Sequence, residues 1–321
     1  MKSVSGKLLF SFIVSWVALV GLSKVYDFAL LHNCNIKASY IQKNKIDADL
    51  LIHGPCQALW IVRPSIIEKK THLKTYNLGL THADFADNYL HLYLYLKHNK
   101  APQYLFLYVS PESMDLNYNM FNTYRFAPFA GDVIVDSVLK ECDSAYFKWI
   151  SIPFMKYGYY NNATNFDAIQ GLKHFFTNKT TPYFQDNGYE PPFNPIKESD
   201  PNAFVQIYPD GFKFVWNTLR EKYLRKTIEL AQQHNIRVYL YESPLLKKAV
   251  LHLPNRTATL QKIKSLADEY GIEFVRFENM KMADSVSYFF STVGMTTKGS
   301  QIFSDSLGTY IKNYVTKEEQ P

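Results

Sequence analysis

Between Asp49 and Ser110 the chain passes repeatedly from a short apolar stretch to a helix-patterned one, and this repetition limits its fold more than any other feature. Asp49–His53 reads as a strand closed by Gly54-Pro55, and Gln57–Lys70 reads as a helix interrupted at Pro64. Lys74–Leu80 (KTYNLGL) is a second strand. Its polar exit, Thr81-His82-Ala83-Asp84, offers Asp84 or Thr81 as cap for a helix carrying Phe85, Tyr89, Leu92 and Leu96 on one face. Gln103–Ser110 (QYLFLYVS) is a third strand, apolar almost throughout, as a strand covered on both faces must be. Three β–α steps within about 60 residues predict a three-layer, doubly wound parallel sheet of about five strands. The pattern resumes with a helix over Val215–Asn235, strands Arg237–Glu242 and Glu273–Phe277 around a helix Thr257–Tyr270, and a closing helix Thr297–Val315 broken at Gly308. The domain this predicts spans 49–315, followed by a 316–321 tail.

Two segments break the alternation. Leu8–Leu22 is an apolar run bracketed by Lys7 and Lys24, and the pattern continues through Leu31, so residues 1–32 read as an uncleaved transmembrane anchor rather than a cleaved signal. Lys2 and Lys7 place the N-terminus inside, making the protein single-pass in the cell membrane with its globular part extracytoplasmic, periplasmic or at the cell surface. Residues 33–48 are polar and read as a linker. Residues 116–215 hold 23 aromatics, with helices at Val133–Lys140 and Asp167–Phe176. They form an insertion or cap, whose aromatics either line a groove or bury a region of little regular structure.

Scattered Lys and Arg, for a net charge of +6, argue against a nucleic-acid partner. The cysteines are Cys34, Cys56 and Cys142; a Cys34–Cys142 disulfide would leave Cys56 free. Their spacing suggests no metal site, and no cofactor is expected.

Three blocks, taken in order, carry a resemblance: DADLLIHGPCQALW, TYNLGL and SYFFSTVGMTTKGSQIFSDSL. Together with the anchor they resemble the SGNH (GDSL-like) hydrolase superfamily, in its membrane-anchored branch, similar to the D-alanyl-transfer protein of teichoic acid operons and the alginate O-acetylation proteins. The resemblance runs over roughly residues 1–315 in segment order. It puts Cys56 at the nucleophile position and the Gly79 N–H in the oxyanion hole, while the Asp and His positions fall on Ser291 and Gly294. The last histidine in the chain is His252, so no register restores a C-terminal base.

A serine-type nucleophile needs a base held by a third group, and neither Gly294 nor Ser291 can serve. His82 is the substitute base to consider, since a helix N-terminus draws a thiol toward thiolate. His53, directly before the turn, is a second imidazole of undecided direction. Against a Cys56–His82 dyad, Cys56 can simply be a small residue filling the serine's space. Pro55, besides, removes a backbone donor close to the oxyanion position. Ser110-Pro111-Glu112 and Glu242-Ser243-Pro244, at the ends of strands three and four, can turn their carboxylates into one cleft. The leading expectation is an anchored extracytoplasmic SGNH-like pseudoenzyme that binds an envelope glycan or acylated component or docks on a polytopic membrane O-acyltransferase. A thiol-dependent esterase or acyltransferase using Cys56 and His82, and a structural part of an envelope assembly, are the alternatives.

Overall fold

A computed structural model of the chain describes residues 2–43, 46–115, 123–143, 145–158, 162–184, 186–191 and 206–316. The chain divides into two compact units, one of residues 1–45 with 122–183, the other of 46–121 with 184–321.

The second unit is built on one all-parallel sheet in the order β2-β1-β3-β4-β5. Its strands are β1 (Leu50–His53), β2 (Thr75–Asn77), β3 (Tyr104–Tyr108), β4 (Arg237–Glu242) and β5 (Glu273–Arg276). Parallel neighbours cannot be joined by hairpins, so helices fill the connections. The first unit meanwhile holds α1 (Lys2–His32) and α2 (Lys37–Lys43). After β1 come α3 (Cys56–Ile61) and α4 (Pro64–Thr71), separated where Pro64 starts a new helix, and α5 (Phe85–His98) follows β2. Asp84 caps α5 in a reciprocal box with Asp87.

Strand alternation sends Leu50, Ile52, Tyr104, Phe106 and Tyr108 into one core with Ile61 and Ile67. The opposite face carries His53, whose Nε2 lies 2.8 Å from the Asn88 carbonyl of α5. β2 and β3 are shorter than the apolar runs that encode them, because the ends of those runs turn into loops, whereas β4 occupies the whole of Arg237–Glu242.

Six further helices follow: α6 (Val133–Cys142), α7 (Tyr146–Ile150), α8 (Met155–Gly158), α9 (Asn162–Phe176), α10 (Thr218–Gln233) and α11 (Lys247–Val250). The last two are α12 (Arg256–Glu269) and α13 (Thr297–Tyr310), α13 ending in a π-turn over Ile311–Val315. Helix α13 runs unbroken through Gly308. The residue that was expected to interrupt it instead lets it approach α4, where a Cβ would meet Ile67 Cα at 3.4 Å.

The first unit departs from the expected layout. Residues 33–48 are no simple linker: α2 occupies part of them, with Ala38 and Ile41 buried. The polar residues that suggested a linker are used inside, as where Asn33 Nδ2 donates to the Asp167 carbonyl of α9 at 2.9 Å. The expected 116–215 cap is likewise not one piece, since 122–183 groups with the N-terminal segment and 184 onward with the sheet; 116–122 and 192–205 lie outside the described residues. Cys34 and Cys142 are free thiols rather than a disulfide. The aromatics here divide: Phe126, Tyr146, Trp149 and Tyr157 are buried in core, while Phe166, Phe175, Phe176 and Tyr183 are exposed.

Helix α1 contains a stretch, Val4–His32, long and apolar enough to cross a membrane. Residues 4–22 are exposed throughout, and at 1.5 Å per residue they run roughly 28 Å, close to the ~30 Å of a hydrocarbon core. Beyond them Ala29 and Leu30 are buried against Ala127, Tyr157 and Ala168. Asp27 pairs with Lys156 Nζ at 2.7 Å and accepts from the Tyr157 hydroxyl.

Gly171 lets α9 cross α1 closely: a Cβ there would stand 1.8 Å from the Ala29 carbonyl oxygen. Gly171→Ala is therefore expected to destabilise the first unit by about 1–3 kcal/mol. Chemical unfolding of the detergent-solubilised full chain, followed by Trp149 fluorescence, measures this; an unchanged midpoint would count against the close crossing.

Candidate functional site

The carboxyl edge of the sheet begins where β1 ends. Gly54 adopts φ +142°, and a Cβ on it would stand 2.7 Å from Tyr108 Cβ, so only glycine lets β1 turn there. Pro55 then leads into α3, whose first residue is Cys56. The backbone N–H groups of His82, Cys56 and Gln57 face the sulfur and favour thiolate, but burial outweighs them and pushes the thiol up from its ordinary value. This reverses the expectation of a thiolate drawn out by a helix dipole. A six-residue helix has little dipole to offer against the lost hydration.

His82 meets Cys56 through its backbone rather than through an imidazole–thiol bond. It lies in the left-handed region at φ +50° and is exposed. His53 points to α5, on the other face of the sheet.

Gly79 is close by, yet its N–H donates to Asn77 Oδ1 at 2.9 Å, inside the fold. The same Asn77 amide donates to the Ala58 and Val62 carbonyls at 2.8 Å each. Gly79 is required for packing, because a Cβ would meet the Leu59 nitrogen at 2.7 Å.

Ser291 and Gly294 form a tight turn at the base of the Phe289–Met295 bridge, where the Gly294 N–H donates to Ser291 Oγ at 2.8 Å. The residues between them, Thr292 and Val293, reach the edge of the sheet.

There they close a cavity of about 230 Å³ that also takes in Pro55, Cys56 and Gln57. The structure thus gathers Cys56 and the 291–294 turn around one space, with Ala83, next to His82, on its wall. The cavity lies beyond the carboxyl ends of β1 and β3, where the strand order reverses; open parallel sheets bind their ligands at that position.

Its two sides differ. Phe212, Phe214, Leu245 and Leu253 make an apolar wall. Glu112, Ser113 and Arg220 make a polar one. Glu112 Oε2 is enclosed without a hydrogen-bond partner, and burial raises its carboxyl, with Ser110 opposing as a hydrogen-bond donor. Arg220, 4% exposed, donates to the Ser113 carbonyl at 3.2 Å and faces the charges of Asp84, Asp115 and Asp87. Glu242, expected in the same cleft, sits fully buried, accepting a hydrogen bond from Arg256 at 2.9 Å. Burial pushes its carboxyl up to about 8, Arg256 opposing and the charge of Glu112 adding to the rise.

Phe212, Phe214, Arg220 and Arg256 escaped the reading of the sequence. The only local signal was the alternation Phe212-x-Phe214 just ahead of the α10 cap Asn217. No protein-family model and no curated protein matches the chain.

Two consequences can be measured. Alkylation of Cys56 by iodoacetamide at pH 8 should run at least about tenfold slower in folded protein than in urea, since the thiolate is the reactive form; equal rates would refute the burial effect. For Glu242, the unfolded carboxyl ionises near 4.5 while the folded one holds its proton to about 8. Its contribution is therefore complete below pH 4.5 and is lost as pH rises toward 8. Unfolding free energies of wild type and Glu242→Gln across that range should show a falling slope that the variant flattens.

Proposed function

We propose that this chain is a membrane-anchored, extracytoplasmic SGNH-like protein that holds an acylated envelope component in the edge cavity without hydrolysing it. The observation carrying this reading is the two-sided cavity at the switch point, apolar at Phe212, Phe214 and Val293 and polar at Glu112, Ser113 and Arg220. Its volume, about 230 Å³, lies below the ~300–1,000 Å³ of drug-sized sites, which favours a short acyl ester or one acylated sugar over a long chain. The strand order supports a flavodoxin-like, three-layer arrangement of the SGNH kind. In that arrangement the 288–296 block would carry the acid and base of a hydrolase. Here it contributes Thr292 and Val293 as wall, and Gly79 spends its N–H on Asn77. An apolar helix able to anchor the chain fits a role beside a polytopic membrane O-acyltransferase, with the bound acyl sugar as shared cargo.

The thiol-enzyme reading draws on a single observation, the backbone N–H groups of His82, Cys56 and Gln57 around the Cys56 sulfur. A half-buried thiol with no imidazole bonded to it makes that the weaker reading.

Isothermal titration with a 6-O-acetylated N-acetylglucosamine disaccharide, against its deacetylated counterpart, tests the binding proposal. The acetylated form should bind more tightly. Val293→Trp, at a half-buried position on the cavity wall, should weaken binding at least tenfold, or about 1.4 kcal/mol. Equal affinity for both sugars, or none for either, would sink the proposal; steady acetate release lost in Cys56→Ala would favour the thiol enzyme.

A further inference from the structure

The first unit contains a second cysteine in a setting unlike that of Cys56. Cys34 lies just past the end of α1, and its Sγ stands 3.5 Å from His174 Nδ1 on α9. Both are buried, at 8% and 3% exposure, and together they line a cavity of about 280 Å³. The loop is held in place by Asn33, which donates to the Asp167 carbonyl, and by Asn35, whose Oδ1 accepts from the Tyr183 N–H at 3.0 Å. Lys43 and Lys179 reach the rim of the cavity, with Leu31 and Phe175 as its apolar side.

A thiol within reach of an imidazole, opening on a shaped space, is the arrangement that nucleophilic catalysis requires. The imidazole is set up as an acceptor: burial first, then Lys179 and Lys173, lower its pKa and keep the ring neutral. Burial raises the Cys34 thiol, while the charge of Lys179 pulls the other way. The Thr181 carbonyl, 3.4 Å from the sulfur, offers the thiol proton a second acceptor at rest.

We propose that Cys34 and His174 form an acyl-acceptor site, taking an acyl group from an acyl phosphate, whose leaving group carries negative charge before the bond breaks, in preference to an uncharged activated ester. Cys34 Sγ attacks the carbonyl carbon, and His174 Nδ1 takes the thiol proton. A C–S bond forms as the bond from carbonyl carbon to leaving oxygen breaks, and the leaving group departs with the proton from His174. No oxidant or reductant enters. Lys43 and Lys179 give the leaving group its electrostatic fit, and the site stands at the end of the helix able to cross a membrane.

The test uses the full chain in detergent micelles with two probes, 4-nitrophenyl acetate and acetyl phosphate, and maps acetyl adducts by peptide mass. We expect one acetyl per chain on Cys34, formed at least tenfold faster than on Cys56 or Cys142. His174→Gln should slow the Cys34 adduct at least tenfold. Lys179→Ala, at an exposed position, should slow acetyl phosphate several-fold and leave 4-nitrophenyl acetate nearly unchanged. Adducts spread evenly over the three cysteines, or a Cys34 rate indifferent to His174→Gln, would overturn the proposal. Should His174→Gln fail to fold, equal effects of Lys179→Ala on both probes would overturn it as well. Acylation confined to Cys56 would count against this site while bearing separately on the edge cavity.

Discussion

The carboxyl edge of this sheet hangs on the side chain of Asn77. Its amide sits at the end of β2, fully buried, donating to the Ala58 and Val62 carbonyls of α3 and accepting from Gly79. An α-helix leaves its last carbonyls without partners, and one as short as α3 leaves most of them so. Asn77 supplies a donor to the Val62 carbonyl at the helix cap and a second one to the Ala58 carbonyl, which also accepts the Val62 N–H, and in doing so fastens α3 to the neighbouring strand. A carbonyl left unpaired in a buried setting would cost about 1–3 kcal/mol. The close approach of Gly79 to Leu59 and the covering of the β2 edge, where the Asn77 N–H donates to the Asn187 carbonyl at 2.8 Å, follow from the same anchoring.

That fastening also shapes the chemistry of the corner. With the Gly79 N–H committed inward, the donors that face Cys56 are its own N–H, that of Gln57 and that of His82. They surround a sulfur whose thiol burial pushes above its ordinary value. The strongest electrostatics lie deeper, where Arg256 donates to the buried Glu242 carboxyl and Glu112 adds a second carboxyl. A buried pair of this kind is weak evidence for net stability, but it ties the end of β4 to the start of α12. The first unit distributes its polarity differently. There Asp27 and Lys156, and Cys34 and His174, are side-chain pairs that tie the end of α1 to later helices.

Much of the sheet was legible because its signals are local. Apolar runs of strand length, Gly54-Pro55, Asp84 ahead of a periodic segment and the RVYLYE run each declare their element within a few residues. The first unit was harder, since the polarity of Asn33 and Lys37 suggests solvent. Both are buried, and Asn33 donates to the Asp167 carbonyl, 134 residues further along the chain. Gly308 misled for a related reason, as its role is set by α4 across the interface. The missing C-terminal histidine was plain from the sequence. The diversion of the Gly79 N–H was not, because a hydrogen bond is directional and no spacing rule reports which way Asn77 Oδ1 points.

From residue order alone follow the parallel α/β sheet, the apolar helix long enough for a membrane and the lack of any histidine after His252. These rest on period, length and residue type, which neighbouring positions suffice to express. Folding decided the rest. It brought Phe212, Phe214 and Arg220 to the same space as Cys56, set His174 beside Cys34, and raised the Cys56 thiol where a helix end had promised to lower it. The reason is common to all three. Proximity and desolvation come from chain segments far apart in sequence, and the free energy of a charge depends on everything packed around it.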